Sequence, residues 1–400
     1  MTVYTVNQPG NKTVTFPSSF KNGDTLVFNN TSSGPIGEKI QWKVPADGVY
    51  MIDAWGAQGG GINNGGGKGA RMKGEFKLSS NQYIDLLVGQ QGEIQQVIYP
   101  EGGGGGASMV YAVAKGLLMI AGGGGGVSQY GGPIYPGYGG EITGLSSIVD
   151  GGLPPSQLGN GGTGVAASNH GGGGGGYHTQ GIDGKDKITG GKPLGGSAYG
   201  GTGWTNAGGN GGYGGGGGCG FSGGGGGGGY TGGNSAQNYR IPASGGGSYN
   251  IGENQSNTRD AKNGHGRVAI TLLRPANEPP TKPTLTKQPI SNSVNLSNDT
   301  VRLEWNASND PEGNPITYEI DFYNGSTWVS LATKITDTKC DCIIPSVATD
   351  KAQFRVRATD SENGASKYSL SNVFIVAKQL YVINDGDIHK SYKNGNWESI

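Results

Sequence analysis

The chain is 400 residues long, enough for two or three domains. Lys plus Arg and Asp plus Glu are equal at 29 each, so the net charge is zero. A nucleic-acid-binding surface, which needs a basic excess to neutralise phosphates, is not expected. Charged residues make up only 14% of the chain, and the surface reads as polar and neutral, suited to solvent and to neutral ligands such as glycans. No apolar run approaches the roughly 18 residues of a transmembrane helix, so membrane insertion is not expected. The start, MTVYTVNQPGNKTVTF, lacks the basic and apolar segments of a secretory signal. A protein working outside a cell would then arrive by another route, such as assembly into a phage particle.

In chain order, strands are expected at 13–16 (TVTF), 25–28 (TLVF), 39–44 (KIQWKV) and 49–55 (VYMIDAW). Asn22-Gly23 and Asp47-Gly48 between them suit tight hairpin turns because both dipeptides tolerate positive φ. Further strands are expected at 73–78, 83–88, 108–113 and 117–121, the last two joined by the short turn at Ala114-Lys115-Gly116.

Most of the 84 glycines then follow, in uninterrupted runs at 102–106, 122–126, 171–176, 214–218 and 223–229. Glycine loses more freedom on folding than any other residue, so such runs usually mark linkers. Here LLMIA (117–121) runs straight into Gly122 and RVAITLL (267–273) returns as a strand, which suggests a folded domain instead. The runs lack the strict triplet of collagen. They suit extended threefold helices that pack side by side and bond through their outward N–H and C=O groups.

VPADGVYMIDAWGAQGG, GGGKGARMKGEF, IDLLVGQQG, GGGGGAS and LLMIAGGGGG, in that order, resemble the glycine-rich domain family. That family occurs in the extracellular part of anaplastic lymphoma kinase-type receptors and in proteins of bacteria and their phages. The resemblance covers about 13–273 and implies an all-β fold, a β-sandwich with an inserted polyglycine-helix bundle, and extracellular binding. The first domain is placed at 1–275.

A proline-rich linker is read at 276–287. A glycine-poor domain follows at 288–378, with strands at 301–305, 318–323, 327–331, 339–344, 353–359 and 372–376. Trp305, Tyr318 and FRVRA (354–358) make it resemble a fibronectin type III domain, a second β-sandwich. The family's corner tyrosine, two residues before Phe354, is Ala352 here, so its stabilising bond does not carry over. In KCDCII, strand alternation puts Cys340, Cys342 and Ile344 on one face as small core residues. With Cys219 the chain has three cysteines, too few and too odd a number for a disulfide framework. The tail, 379–400, is expected to form a hairpin of 380–383 with 387–392.

Catalytic motifs are weak. Gly220-Phe221-Ser222-Gly223-Gly224 matches G-x-S-x-G but lacks the strand before and the helix after that the nucleophile elbow needs. GGGKGA (65–70) lacks both the first glycine and the Ser or Thr of a phosphate loop. His170 and His178 bracket a glycine run without further ligands, so no metal is expected. The Asp310–Glu312 loop resembles the acidic loop of cadherin-like domains but offers only two carboxylates, a weak calcium site. No cofactor is expected.

The aromatics that punctuate the glycine region carry more weight. Tyr177, Tyr199, Trp204, Tyr213, Tyr230 and Tyr239 are the candidate ligand-binding residues, either stacking on sugars or capping the glycine bundle. The expected function is a non-enzymatic virion surface protein of a phage or prophage that binds a host glycan or protein. Other virion proteins and copies of itself in a homo-oligomer are the expected partners. The alternatives are a purely structural decoration or spacer of the virion, and a bacterial cell-surface adhesin.

Overall fold

The computed structural model describes residues 2–6, 13–15, 21–31, 34–95, 100–129, 133–148, 154–165, 170–204, 209–238, 240–378, 380–384, 387–393 and 396–399. The chain is all-β, and among the described residues the only helical turn is a 3₁₀ turn at Ile62–Asn64. It divides into two compact units, Met1–Ala276 and Asn277–Ile400.

The first unit holds β1 (Val3–Val6), β2 (Thr13–Thr15), β3 (Thr25–Asn29), β4 (Ile40–Lys43), β5 (Gly48–Trp55), β6 (Gly69–Leu78), β7 (Tyr83–Leu87), β8 (Ser108–Ala112), β9 (Gly116–Ala121), β10 (Tyr249–Asn250), β11 (Thr258–Lys262) and β12 (Arg267–Pro275). They form two six-stranded sheets, ordered β1-β3-β12-β5-β6-β11 and β10-β9-β8-β7-β4-β2. The period of two along each strand fills the space between them. Tyr50, Ile52 and Ala54 of β5 and Val268, Ile270 and Leu272 of β12 meet Trp42 of β4, Ile84 and Leu86 of β7 and Val110 of β8 in one buried cluster. The strand read as returning after the glycine region, β12, lies inside the first sheet, antiparallel to both β3 and β5. Sequence-distant ends are thereby joined at the sheet's centre.

The glycine runs form no regular strands but bond to one another through the backbone. Gly105 N donates to Gly124 O at 2.8 Å, Gly104 N to Gly217 O at 2.8 Å, Gly123 N to Gly228 O at 2.8 Å and Gly172 N to Gly218 O at 2.8 Å. Gly217 N donates to Gly226 O at 2.8 Å and Gly226 N to Gly172 O at 3.0 Å. Each run is thus tied to at least one other, which supplies buried peptide groups with partners in place of water. The spacing leaves no room for a side chain: a Cβ on Gly226 would lie 1.9 Å from Gly233 O, and one on Gly124 would lie 1.8 Å from Gly67 O.

The second unit holds β13 (Thr284–Lys287), β14 (Val294–Leu296), β15 (Thr300–Asn306), β16 (Ile316–Tyr323), β17 (Trp328–Ile335), β18 (Lys339–Ile343), β19 (Thr349–Asp360), β20 (Ser369–Leu370), β21 (Phe374–Ala377), β22 (Leu380–Asn384), β23 (Asp387–Lys393) and β24 (Asn396–Ser399). One sheet runs β13-β15-β18 and another β14-β21-β19-β16-β17, with β20 on β19. Their shared core includes Trp305, Tyr318, Phe322, Phe354 and Phe374. Trp305 meets Tyr318 edge-on at 5.2 Å, and Phe354 stacks on Phe374 at 5.4 Å. Where the corner tyrosine is absent, Ala352 is buried, and Ser371 Oγ accepts from Phe354 N at 2.9 Å.

One expectation needs correction. The segment read as linker, 276–287, contains β13, whose Leu285 pairs with Trp305. Prolines on its flanks disguised a short edge strand. At its start, Asn277 Nδ2 donates to Asp360 Oδ2 at 2.9 Å, while Asn277 Oδ1 accepts from Asn314 Nδ2 at 3.0 Å, so this residue belongs to the second unit. Cys340, Cys342 and Ile344 share the core face as expected: Cys342 and Ile344 are buried, and Cys340, half-buried on an edge strand, packs against the same core. The tail forms the expected hairpin, Leu380 pairing with Tyr392 and Asn384 with Asp387, and a third strand, β24, adds to β23.

Candidate functional site

The aromatic residues of the glycine region separate into different environments. Tyr213 is 1% exposed, packed with Leu87, Met109, Ile120, Leu194 and Ala198, and burial holds its phenol well above the usual range. It offers no face to a ligand, which corrects its reading as a binding residue. Tyr230 lies between Tyr177, at 6.2 Å, and Tyr249, at 4.9 Å, both nearly parallel to it. It is half-buried between these two rings, the arrangement expected of a residue that caps the glycine region. Trp204 packs edge-on against Phe221 at 5.2 Å. Tyr199 is 42% exposed, tilted toward Tyr213 at 6.5 Å. Tyr239 lies outside the described residues.

Tyr177 lines a pocket. Its backbone is fixed on both sides: its N–H donates to Tyr230 O at 2.9 Å, and its carbonyl accepts from Gly195 N at 3.0 Å. Leu194 and Ala198 of the same loop are buried against the outer face of the second sheet, so the loop is clamped there and Tyr177 and Gly195 overhang the adjoining strands.

The floor follows from strand register. On the outer face, Gln41 of β4 pairs with Asp85 of β7, and Asp85 with Tyr111 of β8. One position along, Leu87 pairs with Met109, and Met109 with Ile120 of β9. The resulting pocket, of about 250 Å³, is lined by Lys39, Asp85, Met109, Tyr111, Tyr177 and Gly195. Gln41 Nε2 donates to Asp85 Oδ1 at 3.0 Å and orients the carboxylate. Lys39 makes no ion pair among the described residues. Burial, and then the neighbouring phenols of Tyr111, Tyr230 and Tyr249, raise the Tyr177 phenol above its usual range, so it is a neutral hydrogen-bonding group at physiological pH. The pocket joins an apolar, aromatic side to a polar side with one donor and one acceptor.

Sequence reasoning named Tyr177 and missed Lys39, Asp85, Met109 and Tyr111. The period-two alternation of IDLL and SMVYA carried a signal, since Asp85 and Tyr111 face away from Ile84 and Val110. Nothing in the sequence showed that a glycine-region loop covers that face.

Other chemistry is sparse. Ser222 Oγ lies 2.9 Å from His170 Nδ1, 52 residues away, and burial holds the His170 ring below its usual range, so it is neutral at pH 7. Glycine segments rather than a strand and helix flank Ser222. His178 is exposed and packs on Tyr177 instead, at 4.9 Å, so the two histidines do not converge. Among the described residues no group of three or more His, Cys, Asp or Glu is placed to hold a metal. The Asp310 loop closes on itself, Asp310 Oδ1 accepting from Glu312 N at 3.1 Å and Asn314 N at 2.8 Å. One acid is unusual: Glu101 is fully buried. Its Oε1 accepts from Gln129 N at 2.8 Å, Oε2 finds no partner among the described residues, and burial pushes its pKa up to about 9.

No family model matches the chain, and no curated protein matches it. Among solved structures, the crystal structure of domains A168–A170 from titin is 18% identical, covering 34% of this chain at a TM-score of 0.20. The match spans about half, 47%, of that titin structure. Overlap at that level assigns neither fold family nor function.

Proposed function

We propose that this chain is a non-enzymatic surface protein of a phage or prophage particle, and that its first unit attaches the particle to a host-surface glycan. The observation that carries the reading is the pocket where Tyr177 overhangs Lys39, Asp85, Met109 and Tyr111. An open groove with aromatic walls and a few oriented polar groups suits a sugar better than a large apolar ligand. Zero net charge accords with a ligand that is not a nucleic acid. Tying the wall to cross-bonded glycine runs fixes the binding geometry before the ligand arrives, which limits the entropy lost on binding.

In this reading the first unit is a glycine-rich-family β-sandwich whose runs are threefold polyglycine helices packed as a bundle. The second is a fibronectin type III-like module that spaces or joins the binding unit to the particle. A homo-oligomer would multiply weak sugar contacts.

A glycan array probed with the purified full chain, alongside binding to intact host cells, tests the function. Retention on a defined set of glycans supports it. Absence of binding to every glycan and to host cells would leave the structural spacer role in its place.

A further inference from the structure

Resting on that reading, we infer that the groove beside β7 and β8 takes a single terminal, uncharged hexopyranose. The ring's C–H face lies against Tyr177 and Tyr111, and its hydroxyl edge lies on Asp85 and Lys39.

The division of the pocket is the first reason. A pyranose has an apolar C–H face and a hydroxyl-bearing edge. Tyr111, on the sheet's outer face, and the overhanging Tyr177 supply the apolar side, with Met109 buried at the floor beneath them, while Lys39 and Asp85 supply the polar one. The Asp85 carboxylate already receives Gln41 Nε2 on Oδ1, and Oδ2 has no donor among the described residues, so it can accept from a hydroxyl. Lys39 donates only, and a neighbouring hydroxyl can accept. One ammonium and one carboxylate together match adjacent hydroxyls, each of which both donates and accepts.

Charge is the second reason. Lys39 and Asp85 cancel across the pocket. An acidic sugar attracted by one is repelled by the other, so it gains less Coulomb energy than at an ammonium alone, while a neutral sugar uses both groups.

Size is the third. About 250 Å³ lies just below the ~300–1,000 Å³ of pockets that enclose drug-sized molecules, so the space suits one ring. The clamped loop bearing Leu194 and Gly195 walls one side, so the ring enters as a chain end.

The test uses the full chain and saturation-transfer difference NMR with the methyl glycopyranosides of glucose, galactose and mannose and with methyl glucuronide. Each glycoside is also run as a competitor of host-cell binding. At least one neutral glycoside should show transfer to its ring C–H protons and compete. Asp85→Asn and Tyr177→Ala should each weaken it about tenfold, the scale of one charge-assisted hydrogen bond or one aromatic contact. Ile182→Ala, at an exposed residue outside the pocket, should leave it unchanged. If the chain binds cells but no glycoside competes, or if Asp85→Asn binds as the parent does, the pocket assignment falls while surface attachment stands. Preference for the glucuronide, lost in Lys39→Met, would overturn the uncharged assignment. Absence of all cell and glycan binding removes the reading on which the assignment rests, and the assignment with it.

Discussion

Single residues in the first unit are constrained by burial of polar groups as much as by packing of apolar ones. Glu101 is held protonated by its surroundings, with a pKa near 9 against an ordinary 4.5. The folded state therefore keeps a proton that the unfolded chain releases. That contribution is fully present below about pH 4.5 and is lost progressively as pH rises toward 9, by up to about 1.4 kcal/mol per pH unit. Glu101→Gln removes the titration and keeps an acceptor for Gln129 N. It should raise Tm relative to the parent at pH 8.5, and the advantage should shrink toward pH 5. The buried His170 and His265, both held below the usual imidazole range, titrate in parent and variant alike and cancel in the difference. A Tm difference independent of pH would mean that Glu101 is ionised in the folded state. Backbone crowding gives a second test. Gly226→Ala puts a carbon 1.9 Å from a carbonyl oxygen, whereas Gly196→Ala meets nothing closer than Pro193 Cγ at 3.4 Å. The first should cost about 3 kcal/mol or more, and the second should be near neutral. Equal melting temperatures for the two would refute tight packing of the 223–229 run.

Elements with their own apolar rhythm were legible in the sequence, and those without it were not. The strands β5, β9 and β12 alternate or run apolar, and reading placed each within two residues. The edge strand β11, TRDAK, is exposed almost throughout, so no burial pattern marked it, and β13 hid among prolines. The glycine runs gave a folded region but not which run meets which, because a segment without side chains has no periodic pattern to read. For the same reason Tyr177 and Tyr213, each adjoining a glycine run, looked alike, although one lines a pocket and the other is buried. The β13 strand supports a prediction. Its Leu285 packs on the second core and pairs with Trp305, and the preceding Asn277 ties the chain to Asp360 and Asn314. A fragment of 277–378 should melt cooperatively with Trp305 buried. A fragment of 288–378 loses about 2–3 kcal/mol of apolar packing and should melt about 10–20 °C lower. Coincident melts would return β13 to the role of a linker.

At the scale of the molecule, the chain holds two units with separate cores. The first contains the pocket and the wall of cross-bonded glycine that holds Tyr177 over it. The second has an aromatic core of its own, and Asp310 Oδ1 and Asp360 Oδ1 each accept from backbone N–H groups of their own loops. If attachment to a host surface is the function, residues 1–276 should retain the binding of the full chain, measured on cells or on immobilised glycan, and 277–378 should have none. Any affinity lost by 1–276 should be recovered by presenting it as an oligomer, since avidity and not a second site would be missing. Asp85→Asn in 1–276 should then weaken binding by the same factor as in the full chain, because additivity holds between sites that share no partners. Binding carried by 277–378 and absent from 1–276 would move the ligand site to the second unit and leave the Tyr177 pocket without a role in attachment.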